Sequence, residues 1–122
     1  MEFQNRIDLR GVIGRADVNS INQSKVCNFS VVTEYSSMDR EGNPVIETTW
    51  FNVSAWEGRS GIPELSSIQR GAWVHVIGRV RMRRYTTQDN EERTTWDVLA
   101  RKVEILPREE DENAVMAPQR DY

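Results

Sequence analysis

Two tryptophans and a row of arginines are the residues of this chain best suited to chemistry, and that chemistry is non-covalent. In the stretch Thr48 to Trp56, Phe51, Val53 and Ala55 alternate with Trp50, Asn52, Ser54 and Trp56. An extended strand sends alternate residues to opposite faces. One face is then an ordinary apolar row, while the other is polar in its middle and carries an indole at each end. Water does not favour large aromatics on a wet face. Either a flat ligand stacks on Trp50 and Trp56, or a loop or subunit contact covers them. Farther along, Trp73 to Thr86 alternates in the same way. Val74, Val76, Gly78, Val80 and Met82 share one face. Trp73, His75, Ile77, Arg79, Arg81, Arg83 and Tyr85 share the other, with Arg84 beside them. Arginine forks suit phosphates, and aromatic rings suit bases splayed from a single strand. Alone, an arginine row also suits a solvated or edge-protecting strand. Flanking tryptophans, alternating arginines and a following tyrosine together fit single-stranded nucleic acid, recognised by strandedness because every base has a π-face. Trp73 and Trp96 are expected in the core or at an interface.

Covalent and metal chemistry has little to work with. The chain has one histidine and one cysteine. His75 sits in mid-strand, and Cys27 shares a face with Phe29 and Val31, the setting of a buried, inert thiol. No calcium-loop spacing occurs, and Gly11 with Gly14 does not form a phosphate-cradling GxGxxG. The expectation is a binding protein without catalysis, cofactor or metal.

The elements that must position these rows follow from the period of two. A first strand runs from Asn5 to Val18, with Gly11 and Gly14 marking a bulge or bend. A second spans Lys25 to Tyr35 and a third about Val45 to Trp56, around the turn Gly42-Asn43-Pro44. Pro63, the spacing of Ile62, Leu65 and Ile68, and Gly71 predict a short helix of about two turns. Strands four and five, Trp73 to Thr86 and Arg93 to Leu106, form a hairpin around residues 88–92. Five strands with a bent first strand and a short helix between strands three and four predict a mostly-β OB-fold, a Greek-key barrel; a β-sandwich is the alternative.

The chain has 122 residues and a formal charge of −3. From Pro107 on there are two basic and five acidic residues, so residues 1–106 balance 14 against 14. The acidity therefore belongs to the tail, and 14 of the 16 basic residues are arginine. Residues 1–106 read as one domain and 107–122 as a short, acidic, disordered tail. The charged first ten residues do not resemble a signal peptide, and no apolar run approaches the roughly 20 residues of a membrane span. One cysteine excludes an internal disulfide. A reducing, cytoplasmic setting is expected.

At this point the residues resemble a known family, the bacterial-type single-stranded-DNA-binding proteins, over about residues 5–106. Asn5-Arg6-Ile7 through Gly11 and Gly14 is similar to the family's opening strand. Thr49-Trp50 with Val53 and Trp56 is similar to its third, Gly71 to Tyr85 to its fourth, and Thr94-Thr95 with Ala100 and Val103 to Leu106 to its last. The resemblance implies an OB-fold assembling into a homotetramer, with a dimer possible, and DNA wrapping around it. It implies stacking by Trp50, Trp56 and Tyr85, phosphate contacts from Arg81, Arg83 and Arg84, and a cytoplasmic, nucleoid-associated role in replication, recombination and repair. Three places differ. Tyr35 is the substitute for a family tryptophan after the second strand. Phe51 replaces a frequently polar or basic residue. The chain ends Gln119-Arg120-Asp121-Tyr122, where the family usually has a Pro-Phe tip that recruits replication and repair enzymes; Glu109 to Glu112 supply the acid. A dimeric primosomal OB-fold replication protein is the nearest alternative. A sugar- or protein-binding β module, which needs no arginine row, is the alternative of a different class.

Overall fold

The computed structural model describes residues 1–107. Apart from Pro107, the expected acidic tail lies outside the described residues. The elements are β1 (Ile7–Ile21), β2 (Ser24–Met38), β3 (Pro44–Trp56), β4 (Trp73–Thr86) and β5 (Glu92–Ile105). They close in the order β1-β2-β3-β5-β4, with β4 returning to β1. This is the expected five-stranded barrel.

Strand β1 serves two neighbours, pairing with β4 over Ile7 to Val12 and with β2 over Val12 to Ile21. The change of partner needs a bend, and the register slips between Ile13 and Arg15, leaving Gly14 as the extra residue. A bulge of this kind bends the strand and sharpens its twist. Strands β3 and β5 meet in parallel only at Val53↔Val98 and Ser54↔Leu99. Beyond that short join, the β2–β3 and β4–β5 hairpins continue as two arms, the former paired out to Met38↔Pro44 and the latter to Thr86↔Glu92.

The inward row fills the barrel. Ile13, Phe29, Val31, Val53, Val74 and Val76 are essentially inaccessible, and Leu65 and Ile68 from the β3–β4 crossover are buried in the same cluster. Burying each large apolar side chain contributes about 1.5–3 kcal/mol. Between β3 and β4 the expected two-turn helix is instead a single 3₁₀ turn, Leu65–Ser67. Ser67 turns its hydroxyl onto the Glu64 carbonyl at 2.7 Å, a local bond that competes with helix propagation. Ile68 is already extended. Gly71 donates to the Ile13 carbonyl at 2.8 Å and does not cap a helix, while Ile13 donates back to Ala72 at 2.9 Å. Those backbone groups tie the crossover to the bend in β1.

Cys27 is fully buried, as its face required. Burial first, and then the nearby Asp17 carboxylate, push its thiol pKa up from 9.0. The unfolded chain therefore releases this proton first, so the thiol's contribution to stability is intact below about pH 9 and declines as pH rises toward the folded value. At pH 8 the native protein is expected to resist a thiol reagent such as Ellman's and to react fully once denatured; rapid labelling of folded protein would contradict this placement.

Candidate nucleic-acid interface

Trp50 is 61% exposed on the outer face of β3. Its indole is not simply adrift in water. The benzo edge lies against Gly14 of the β1 bulge, where a Cβ would collide with Trp50 Cζ3 and stand 3.0 Å from Ser30 Oγ. Glycine at this bulge thus seats one side of the indole on the barrel and leaves the rest open. Gly14→Ala is expected to displace the ring and lower affinity for single strands by several-fold while the fold persists. Unchanged affinity together with an unchanged tryptophan spectrum would contradict this seating.

Trp96, expected in the core or at an interface, stands beside it and lies outside the barrel core. It shares the inward period with Val98 and Ala100, yet β5 at this point has run past the closed barrel, and the ring is 62% exposed. Trp50 and Trp96 line one groove of about 260 Å³ with Phe51, Asn52, Val80 and Asp97. Trp73 is half-buried, in keeping with its expected place. Trp56, six residues along β3 and so roughly 20 Å from Trp50, is half-buried opposite the buried Val26. Ser54 donates to Asn28 Oδ1 at 2.9 Å between the two tryptophans. Tyr35 is 66% exposed, opposite Glu47 on the other face of the β2–β3 arm from Trp50.

The arginine row divides into three. Arg81 is engaged by Asp97 through Nε at 3.2 Å and Nη2 at 3.1 Å, and Arg83 Nη1 lies 3.5 Å from the same carboxylate. Asp97, only 13% exposed, is the cross-strand partner of Arg81. Arg83, exposed, leads to Tyr85, which is 51% exposed opposite Arg93. Arg84 falls on the opposite face of the hairpin, the face of Met82 and Trp96. Arg79 lines a different groove, with Arg6, Arg59 and Arg101. The turn beyond Tyr85 is tight: Thr87 N–H donates to Glu91 at 2.9 Å, and Asn90 takes φ +64°, which asparagine tolerates. His75 has its Nε2 2.7 Å from Asp8 Oδ1 and its Nδ1 3.5 Å from Glu104 Oε1, well away from the tryptophan groove.

Closed barrel, bent first strand, exposed indoles and an arginine-bearing hairpin define an OB-fold with an aromatic and cationic surface. The chain belongs to the single-strand binding protein family, whose model matches residues 4–106. Over 104 residues it is 34% identical to the single-stranded DNA-binding protein of Neisseria meningitidis serogroup A, covering 84% of this chain and 59% of that protein. The chain thus spans little more than half of that relative. It is 25% identical over 118 residues to single-stranded DNA-binding protein 1 of Xylella fastidiosa, covering 94% of this chain and 86% of that one. Among solved structures, the Plasmodium falciparum SSB in complex with single-stranded DNA superposes with a TM-score of 0.74 at 20% identity, covering 88% of this chain and 98% of that chain. A deletion mutant of the Thermus aquaticus single-stranded DNA-binding protein gives 0.71 at 14% identity, covering 86% of this chain and 51% of that one. At these identities the likeness speaks for the fold.

Proposed function

We propose that this chain binds single-stranded DNA without regard to sequence and without catalysis, protecting exposed strands during replication, recombination and repair. The observation that carries the reading is the groove shared by Trp50 and Trp96. It offers two indoles to bases while the neighbouring hairpin offers Arg83 and Arg84 to phosphates. Tyr85 extends the stacking surface outward, and Trp56 and Tyr35 serve as outlying platforms. Arg81, paired with Asp97, acts mainly by holding the hairpin in register, and it meets phosphate only if that pair opens. Family membership and the similarity to bacterial single-stranded DNA-binding proteins support the ligand.

The same reading makes the working form a homo-oligomer, a tetramer in preference to a dimer, at the nucleoid of the cytoplasm. A solution mass of four protomers is the expected result, whereas a dimer points to the primosomal type. Binding is tested by anisotropy with oligo-dT and with duplex at equal salt. Oligo-dT should bind far more tightly, with affinity falling steeply as salt rises. Equal binding of duplex, or salt-insensitive binding, would overturn the reading.

A further inference from the structure

The outer face of β4 carries Trp73, His75 and Ile77 in one row, flanked by β1 and β5. His75 is the only histidine of the chain. Histidine is the one side chain whose ordinary charge change falls between pH 5 and 8. This imidazole is 17% exposed and meets a carboxylate on each side. Its Nε2 lies 2.7 Å from Asp8 Oδ1 on β1, and its Nδ1 lies 3.5 Å from Glu104 Oε1 on β5. Carboxylates only accept, so the short contact places a proton on Nε2. A neutral imidazole then has no second N–H, and Nδ1 turns a lone pair toward Glu104. An imidazolium donates to both. The cluster therefore has two electrostatic states, one proton apart.

The other charges of this face decide what that proton does. The pairings Arg10↔His75 and Asp8↔Ile77 bring Arg10 and Asp8 onto it from β1, and Arg6 reaches Asp8 at 4.0 Å. The pairings His75↔Glu104 and Ile77↔Lys102 add Glu104 and Lys102 from β5, and Arg79 follows on β4. Among the described residues, Arg6, Arg10, Arg79 and Lys102 thus stand against two carboxylates. Beside them β1 has a free edge. It pairs with β4 from Ile7 to Val12, and β2 joins its other side only from Val12 onward. Unpaired backbone of this kind is a template for another strand. A second copy laid antiparallel about Leu9 brings Asp8 of each copy opposite Arg10 of the other, a favourable pair of opposite charges. Two partners therefore compete for Asp8: His75 within the subunit and arginine across the contact.

We infer that His75 is an acid-operated release between copies of this chain. With His75 neutral, Asp8 and Glu104 are available to the cations of a facing copy. Protonation draws both carboxylates back onto the imidazole and leaves each face one charge more positive against its like. The separated subunit then holds this proton more tightly than the assembly does, so assembly weakens as pH falls. The inference rests on the homo-oligomer reading and adds a control to it. The full chain without DNA is weighed by sedimentation equilibrium from pH 8 to pH 5 at one ionic strength, alongside His75→Gln and Glu104→Gln. Far-UV circular dichroism follows folding at each pH. The association constant of the unaltered chain should fall by about 5- to 150-fold over that range, the usual span of coupling between linked sites. His75→Gln has no proton to take up there and should hold its association constant. Glu104→Gln leaves the second proton without its carboxylate, so release should need a lower pH. A constant association constant in the unaltered chain overturns the inference. So does an equal fall in His75→Gln, which would assign the effect to the carboxylates. If His75→Gln loses its fold, Glu104→Gln decides alone, and a pH profile equal to that of the unaltered chain overturns the inference. A chain that is monomeric at every pH overturns the homo-oligomer reading itself, and the inference falls with it.

Discussion

Replacing Trp50 and Trp96 together by alanine is expected to weaken oligo-dT binding by about 2–6 kcal/mol, roughly 30-fold to more than 10⁴-fold in Kd. Each ring that stacks a base is worth about 1–3 kcal/mol by alanine substitution. Both rings are already more than half exposed, so their loss removes little folded-state packing. The two line one groove, and neighbours in a shared site do not add independently. Single and double variants therefore distinguish two arrangements. Additive losses mean that each indole stacks its own base. A double loss close to either single loss means that one base is sandwiched between them. Direct titration by anisotropy supplies both numbers. Single-variant affinities within two-fold of the unaltered chain would remove both rings from the interface.

The second large effect is expected at Asp97, and it has two opposite signs. Asp97→Asn keeps the shape of the side chain and removes its charge. Arg81, which is 26% exposed, would lose a bidentate carboxylate and Arg83 a weaker contact. A largely buried guanidinium without its anion costs about 1–3 kcal/mol of stability. For DNA the same change is favourable: a negative charge leaves the hairpin, and two guanidinium groups become available to phosphates. The salt slope is expected to steepen by about 0.7–1.4, with tighter binding at low salt. A thermal melt and a salt series on one preparation measure both halves. Lower stability with weaker binding would mean that the hairpin must stay rigid to bind, and the role given to Arg81 would need reversal.

How far the site was legible depends on how local its causes are. The exposure of Trp50 follows from the period of two within one strand, and the bulge at Gly14 from a glycine inside a strand pattern. The fate of Trp96 does not follow from its period. The same inward parity buries Val98 and exposes Trp96, because β5 outruns the closed part of the barrel, and that is a matter of strand length and closure. Arg81 looked like its row-mates because the partner that sets it apart, Asp97, faces it across a hairpin whose register the sequence does not print. The helix expected near Leu65 had a proline for its first turn, apolar residues at helical spacing and a glycine for its end. It gave way to backbone bonds between residues 71–72 and Ile13, nearly sixty residues earlier in the chain. The four-arginine groove collects residues from four separate segments, so nothing in the spacing of Arg6, Arg59, Arg79 and Arg101 announces it.

The central claim is that bases stack on Trp50 and Trp96. A variant carrying Trp56→Phe and Trp73→Phe leaves only those two indoles to report, since the chain has four tryptophans. Its emission is followed during titration with oligo-dT, with anisotropy of labelled oligo-dT recorded in parallel. Saturable quenching that tracks the anisotropy is the predicted result. Emission that stays constant while the oligonucleotide binds would contradict the claim.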